Sequence, residues 1–217
     1  MKANVYSEFM PDHILRSNQS GMGEQVYKLL IDNGYNAIDL SSSLIKNKST
    51  DMYFKTDNHW NDLGAFICTN EMLKVIGKDF KNVSTLKDGD FPVTSKRQKG
   101  GNIAKIFGVE NEIEEQNFVP TKSGGLKNKV VNEKKHKSIE GFPYPEEYEL
   151  TRETGNDSLP SILLIRDSFG EKLFPYLSES TKKCKAIYDG WHYGINEEII
   201  KSEKPDIVLY LILECNL

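Results

Sequence analysis

Ser161-Ile162-Leu163-Leu164-Ile165-Arg166-Asp167-Ser168-Phe169-Gly170 is the stretch that decides the fold. Ser161 to Arg166 is an almost unbroken apolar run of strand length, as expected of a strand covered on both faces in a parallel sheet. Asp167 to Gly170 then reads as a sharp turn, with a helix starting near Glu171 and running to Leu177. A second buried strand is expected at Asp206 to Leu213, introduced by Pro205, and a shorter one at Cys184 to Tyr188. Between them Asn196 to Lys201 reads as helical.

Working toward the N-terminus, the apolar spacing of Leu63, Phe66, Ile67, Leu73 and Ile76 predicts a helix over 63–76, ended by Gly77. Asp62 or Asn61 can cap its start. Residues 20–34 read as another helix, with Val26, Leu29 and Leu30 as the apolar face and Gly34 at its C-cap. Asn36 to Leu40 reads as a short strand after it. Strands alternating with helices imply an α/β fold with a mainly parallel sheet. Residues 78–158 break that rhythm. They are rich in Lys, Glu, Asn and Gly, and read as a polar insertion with apolar anchors such as Phe91, Ile106, Phe118 and Phe142. The expectation is one domain over 1–217 carrying that insertion.

The totals exclude several classes. A chain of 217 residues with a net charge of -4 has no basic excess to hold nucleic acid. The cysteines, Cys68, Cys184 and Cys215, are odd in number and form no CxxC pair, so they read as buried thiols rather than a disulfide framework or metal site. No apolar run approaches the ~20 residues that span a bilayer, and the first residues do not form a signal peptide.

Two places carry chemistry. Ser168 follows a buried strand, where a hydroxyl is exposed at the carboxyl edge of a sheet and helix N–H groups can stabilise an oxyanion. The string is not GxSxG, so it is not the elbow of an α/β-hydrolase. A Ser or Asp there can equally serve as a helix cap. The second place is Asp57-Asn58-His59-Trp60. In an extended segment, residues two apart point the same way, so Asp57 can fix the tautomer of His59 while the other ring nitrogen faces a serine. A structural histidine, or a metal pair without a third ligand at suggestive spacing, are the alternatives.

Tyr53-Phe54-Lys55-Thr56-Asp57-Asn58-His59-Trp60-Asn61-Asp62-Leu63-Gly64-Ala65 resembles the DHHW block of the AlgX/AlgJ-type alginate O-acetyltransferase family. Ser161 to Leu177, containing IRDSFGEKLFPYL, resembles that family's nucleophile block. Gly101 to Gly108 (GNIAKIFG) is similar to its GDLxxxLG segment, and Pro205 to Leu217 to its late strand. The chain departs at Asn102, where the family has Asp, and at Asn58, where it has Thr or His. Val5 to Pro11 is similar to the segment just after the family's first strand, so the expectation is a domain truncated at its N-terminus.

The resemblance implies an SGNH-hydrolase-like three-layer fold with Ser168 as nucleophile, His59 as base and Asp57 as orienting acid. It implies transfer of acetyl groups from an acetyl donor to a polysaccharide acceptor outside the cytoplasm, alongside a membrane-bound acyltransferase, with no cofactor and no metal. A carbohydrate acetyl esterase with the same triad and a non-catalytic polysaccharide-binding domain are the other readings. Three further residues are candidates for substrate or oxyanion contacts. Arg166 can meet an anionic sugar, Asn102 can donate to the oxyanion, and Trp60 can stack on a sugar or pack beneath His59. Trp191 and His192 are candidates for sugar contact after a strand, and Glu214 for pairing with Arg166.

Overall fold

The apolar strand Ser161–Arg166 lies inside the sheet, with a parallel neighbour on each side. In the computed structural model, which describes residues 5–14, 21–131, 133–189 and 194–214, the elements run α1 (Met22–Asp32), α2 (Ser41–Lys46), α3 (Asp62–Asp79), β1 (Val93–Lys99), α4 (Asn102–Ile106), β2 (Glu114–Pro120), β3 (Lys129–Val131), α5 (Pro145–Tyr148), β4 (Glu149–Glu153), β5 (Ser161–Arg166), α6 (Gly170–Leu177), β6 (Lys183–Tyr188), α7 (Glu197–Glu203) and β7 (Ile207–Leu211). Five strands form one sheet in the order β3-β4-β6-β5-β7, and β1 and β2 form a separate antiparallel hairpin.

Alternation along β5 feeds two cores. Ile162 and Leu164, with Cys184 and Ala186 of β6, meet Cys68, Met72 and Leu73 of α3 and Leu173, Phe174 and Leu177 of α6. Leu163 and Ile165, with Ile187, meet Phe142, Tyr148 and Ile199 of α7 on the opposite face. Helices therefore cover both faces, which is why β5 needs apolar residues at every position. Cys68 and Cys184 are buried free thiols, and burial pushes Cys184 up to about 12. Cys215 lies outside the described residues.

The sheet is mixed rather than mainly parallel. β5 runs parallel to both β6 and β7, but β4 is antiparallel to β6 and β3 to β4. The reason is the connection. A parallel crossover needs about a dozen residues or more, and only the short link from Thr154 to Pro160 joins β4 to β5. Part of the polar stretch 78–158 thus supplies two strands of the main sheet, while the β1–β2 hairpin packs on α3, tied by Asn117 Nδ2 donating to Asp62 Oδ2 at 2.8 Å.

Helix α3 is longer than its sequence pattern, running through Gly77 to Asp79; Asn61 caps it, accepting from Gly64 N–H at 2.9 Å. Gly64 is required by close approach, since a Cβ there would lie 2.3 Å from the Met52 carbonyl oxygen. Helix α1 ends at Asp32 with Asn33 as C-cap, and Gly34 just past it takes a left-handed φ of 80°. None of its residues is buried; Leu29, Leu30 and Ile31 are exposed. The expected strand at 36–40 forms no pairing, because alternation selects a face but a strand also needs a neighbouring edge. Among the described residues, no helix is long and apolar enough to cross a membrane.

On the α7 face the sheet buries a charge cluster. Lys185 of β6, 2% exposed, places Nζ 2.7 Å from Glu203 and also donates to Glu149, which accepts in addition from the backbone N–H of His136 at 2.8 Å. His136 Nε2 lies 3.1 Å from Glu203. His136, Glu149 and Glu203 have the makings of a metal ligand set. The Lys185 ammonium already supplies the positive charge such a set would bind, so the cluster is an ion-pair network of the fold.

Candidate active site

The Asp57–His59 pair sits at the tip of a small hairpin. Tyr53 and Trp60 face each other across an antiparallel bridge, Phe54 N–H donates to His59 C=O at 3.2 Å, and Asn61 N–H donates to Met52 C=O at 2.9 Å. The intervening residues bend sharply, instead of forming the extended segment expected from the sequence. The bend is stabilised locally, because Asp57 Oδ1 accepts from the His59 backbone N–H at 3.0 Å.

That bend brings the side chains together. Asp57 Oδ1 lies 2.7 Å from His59 Nδ1, and His59 Nε2 lies 2.8 Å from Ser168 Oγ. An ionised carboxylate can only accept, so Nδ1 carries the proton and Nε2 is free to accept from the serine hydroxyl. Ser168 itself stands in the turn after β5. Asp167 fixes that turn, with Oδ1 accepting from Phe169 N–H and Oδ2 from Leu213 N–H, each at 2.8 Å. The second bond ties the turn to the chain just past β7. Both ends of the contact therefore rest on buried elements, while Ser168 remains half-exposed to a substrate.

The acid is fixed from a third direction. Helix α4 aims its first N–H groups at the hairpin, with Asn102 N–H donating to Asp57 Oδ2 at 2.9 Å. Gly101 allows the approach, since a Cβ there would lie 2.6 Å from the Asp57 Cβ. Burial pushes the Asp57 carboxyl up, but the hydrogen bonds from His59 and from the Asn102 N–H outweigh it and hold it at about 2. Glu203 is likewise held at about 2, its burial outweighed by Lys185, His136 and Lys183. A folded-state pKa below the unfolded value gives stability that is present above about pH 4 and lost as pH falls toward about 2. Each group contributes on the order of 2 kcal/mol at neutral pH. Urea midpoints should therefore fall between pH 5 and pH 2.5, and fall less in Glu203→Gln; flat midpoints would refute the assignment.

The other sequence candidates take different places. Trp60 is buried, donates from Nε1 to Phe169 C=O at 3.0 Å, and meets the Phe169 ring edge-on at 5.2 Å. The Phe169 ring in turn lies 4.8 Å from His59. Trp60 thus packs beneath the histidine and offers no face to a sugar. Arg166 is 2% exposed, stacked 5.0 Å above Tyr188, and donates to the Asp167 carbonyl at 3.2 Å, with Nε buried and, among the described residues, unpaired. Gly170 makes room for it, as a Cβ there would lie 2.5 Å from the Arg166 Cδ. A guanidinium so enclosed does not reach a polymer in solvent. The Asn102 side chain is exposed, and its backbone serves the acid rather than the oxyanion side of the triad. Trp191 and His192 lie outside the described residues. Glu214 accepts from Gly23 N–H at 3.1 Å at the start of α1.

Two participants had no sequence signal. Tyr188 ends β6 opposite Arg166 at the end of β5, and burial raises its pKa. Only the register Arg166↔Tyr188 between β5 and β6 puts it there. Glu115 of β2 reaches the backbone just before Asp57.

Residues 1–140 match the family described as "ALGX: SGNH hydrolase-like domain, acetyltransferase AlgX". The chain belongs to this family. The match covers 140 of 217 residues and includes the Asp57–His59 block. No curated protein sequence matches the chain. Among solved structures, Bacillus cereus PatB1 with a sulfonyl adduct is similar at 20% identity and TM-score 0.70, covering 100% of this chain and 78% of that one. A DHHW family protein from Eubacterium siraeum DSM 15702 is 15% identical at TM-score 0.67, covering 98% and 75%. The O-acetyltransferase domain of Pseudomonas putida AlgJ is 14% identical at TM-score 0.57, covering 98% and 71%. At these identities the likeness shows the fold, an SGNH-hydrolase-like α/β arrangement that agrees with the family match.

Proposed function

We propose that this AlgX-family chain is an O-acetyltransferase that moves acetyl groups onto hydroxyls of an extracytoplasmic polysaccharide through an acetyl-Ser168 intermediate. One observation carries the reading: the unbroken hydrogen-bonded chain from Asp57 through His59 to Ser168. Ser168 Oγ attacks the carbonyl carbon of an acetyl ester while His59 Nε2 takes its proton. In this reading the Ser168 backbone N–H donates to the developing oxyanion. The tetrahedral intermediate expels the donor alcohol, which takes the proton back from His59. A sugar hydroxyl then attacks the acetyl-serine by the same steps reversed, and Ser168 recovers its proton. Asp57, held ionised, orients His59 and stabilises its cation.

The acetyl donor would come from a membrane-bound acyltransferase outside the cytoplasm, as the family resemblance implies. We read residues 1–217 as one domain, with 78–158 as its elaboration. With water as acceptor, the same intermediate makes the protein an acetyl esterase.

The test is hydrolysis of p-nitrophenyl acetate by the wild type and by Ser168→Ala, with intact mass after brief exposure. The expected result is a fall of about 10³-fold or more in the variant and a single acetyl adduct on the wild type. A sulfonyl fluoride should label the wild type and spare Ser168→Ala. Equal rates from two folded proteins would refute the serine mechanism.

A further inference from the structure

The proposed reaction gives no part to Glu115, a buried acid of the site. Glu115 of β2 is 5% exposed, and among the described residues it pairs with no lysine, arginine or histidine. A carboxylate buried without a cation is costly unless its lone pairs are filled by hydrogen bonds. The donors that fill them come from the two residues immediately before Asp57. Oε2 accepts from Lys55 N–H at 2.5 Å and from Thr56 N–H at 3.3 Å, and Oε1 accepts from Thr56 Oγ1 at 2.7 Å.

Thr56 passes the constraint on. Its Oγ1 accepts from Gly101 N–H at 2.7 Å, and its carbonyl accepts from Ile103 N–H at 2.9 Å. Thr56 is thus gripped by β2 on one side and by the start of α4 on the other. That same start of α4 donates to Asp57 through Asn102. β2 alternates in burial, and Glu115 and Asn117 occupy inward positions that a strand would ordinarily give to apolar side chains. Asn117 fastens the far end of the same loop at Asp62, so the hairpin clamps the Asp57–His59 segment at both ends.

We infer that Glu115 is a positioning residue for the Asp57–His59 pair, its carboxylate fixing the backbone of Lys55 and Thr56 so that Asp57 Oδ1 meets His59 Nδ1. The effect on rate rests on the serine mechanism proposed above; the effect on geometry does not. Displacing a reacting group by about 1 Å costs on the order of 10² in rate.

The experiment follows the low-field Nδ1–H resonance of His59 by NMR of the ¹⁵N-labelled full chain, assigned by its loss in a His59 variant, beside kcat and KM for p-nitrophenyl acetate. Glu115→Gln should shift or broaden the resonance and lower kcat by about 10²-fold with KM changed less than about twofold, in a protein that still unfolds cooperatively. Thr56→Val should do the same, and Thr56→Ser, which keeps the hydroxyl, should restore both readouts. A folded Glu115→Gln with wild-type resonance and kcat would overturn the inference. Should Glu115→Gln fail to fold, identical resonances in Thr56→Val and Thr56→Ser would overturn it equally. A resonance that depends on Glu115, in a protein whose rate is indifferent to Ser168→Ala, would uphold the positioning role and reject the serine mechanism.

Discussion

His59→Ala should lower the rate of p-nitrophenyl acetate turnover by about three orders of magnitude, and adding Ser168→Ala should lower it little further. The two residues act as one unit. The 2.8 Å contact between Nε2 and Oγ is the path by which the hydroxyl loses its proton as it attacks. Without the imidazole the hydroxyl is a poor nucleophile at neutral pH, and without the hydroxyl the imidazole has nothing to activate. Independent contributions would instead make the double variant slower by the product of the single losses. The fold should survive these changes, because both residues are only half-buried and the Trp60 and Phe169 packing beneath them stays in place. The measurement is steady-state hydrolysis by the two single variants and the double variant, with urea unfolding as the control. Additive losses would mean that His59 and Ser168 do not share a step.

Glu149→Leu should destabilise the protein by about 3–5 kcal/mol while leaving the triad geometry intact. Lys185 lies 2% exposed in the middle of the sheet, and Glu149, 3% exposed, is one of its two carboxylate partners. Removing that partner strands part of a buried positive charge and also frees the His136 and Lys135 N–H groups that Glu149 accepts from. The cost is that of the orphaned charge rather than the worth of the pair. Hence the double variant Glu149→Leu with Lys185→Met should recover much of the loss. Guanidinium midpoints of the three proteins measure this. A double variant no more stable than Glu149→Leu would show that the network does more than neutralise Lys185.

Legibility in the sequence followed the range of the interaction. Ser161 to Arg166 announced itself because both faces of β5 are covered, which leaves nowhere for a polar residue except at its ends. Helix α3 was legible from its apolar spacing, though not its length, since Gly77 is accommodated by tertiary contact. The polarity of β4 was not legible, because the direction of a strand is set by how much chain is available to return it. Asn36 to Leu40 showed the opposite failure, a strand pattern with no partner edge beside it.

Within the site, the residue types made Asp57, His59 and Ser168 candidates, and the family resemblance implied their roles. Sequence alone also determined the α/β class and the buried strand β5, since both follow from local periodicity. Only the tertiary structure decided that His59 and Ser168, 109 residues apart, stand 2.8 Å from each other. It alone decided that Trp60 and Arg166 face inward, and that Glu115 and Gly101 close on the segment carrying the acid. The physical reason is that periodicity reports which face of an element is buried, whereas hydrogen bonds between distant segments depend on how those faces are brought together.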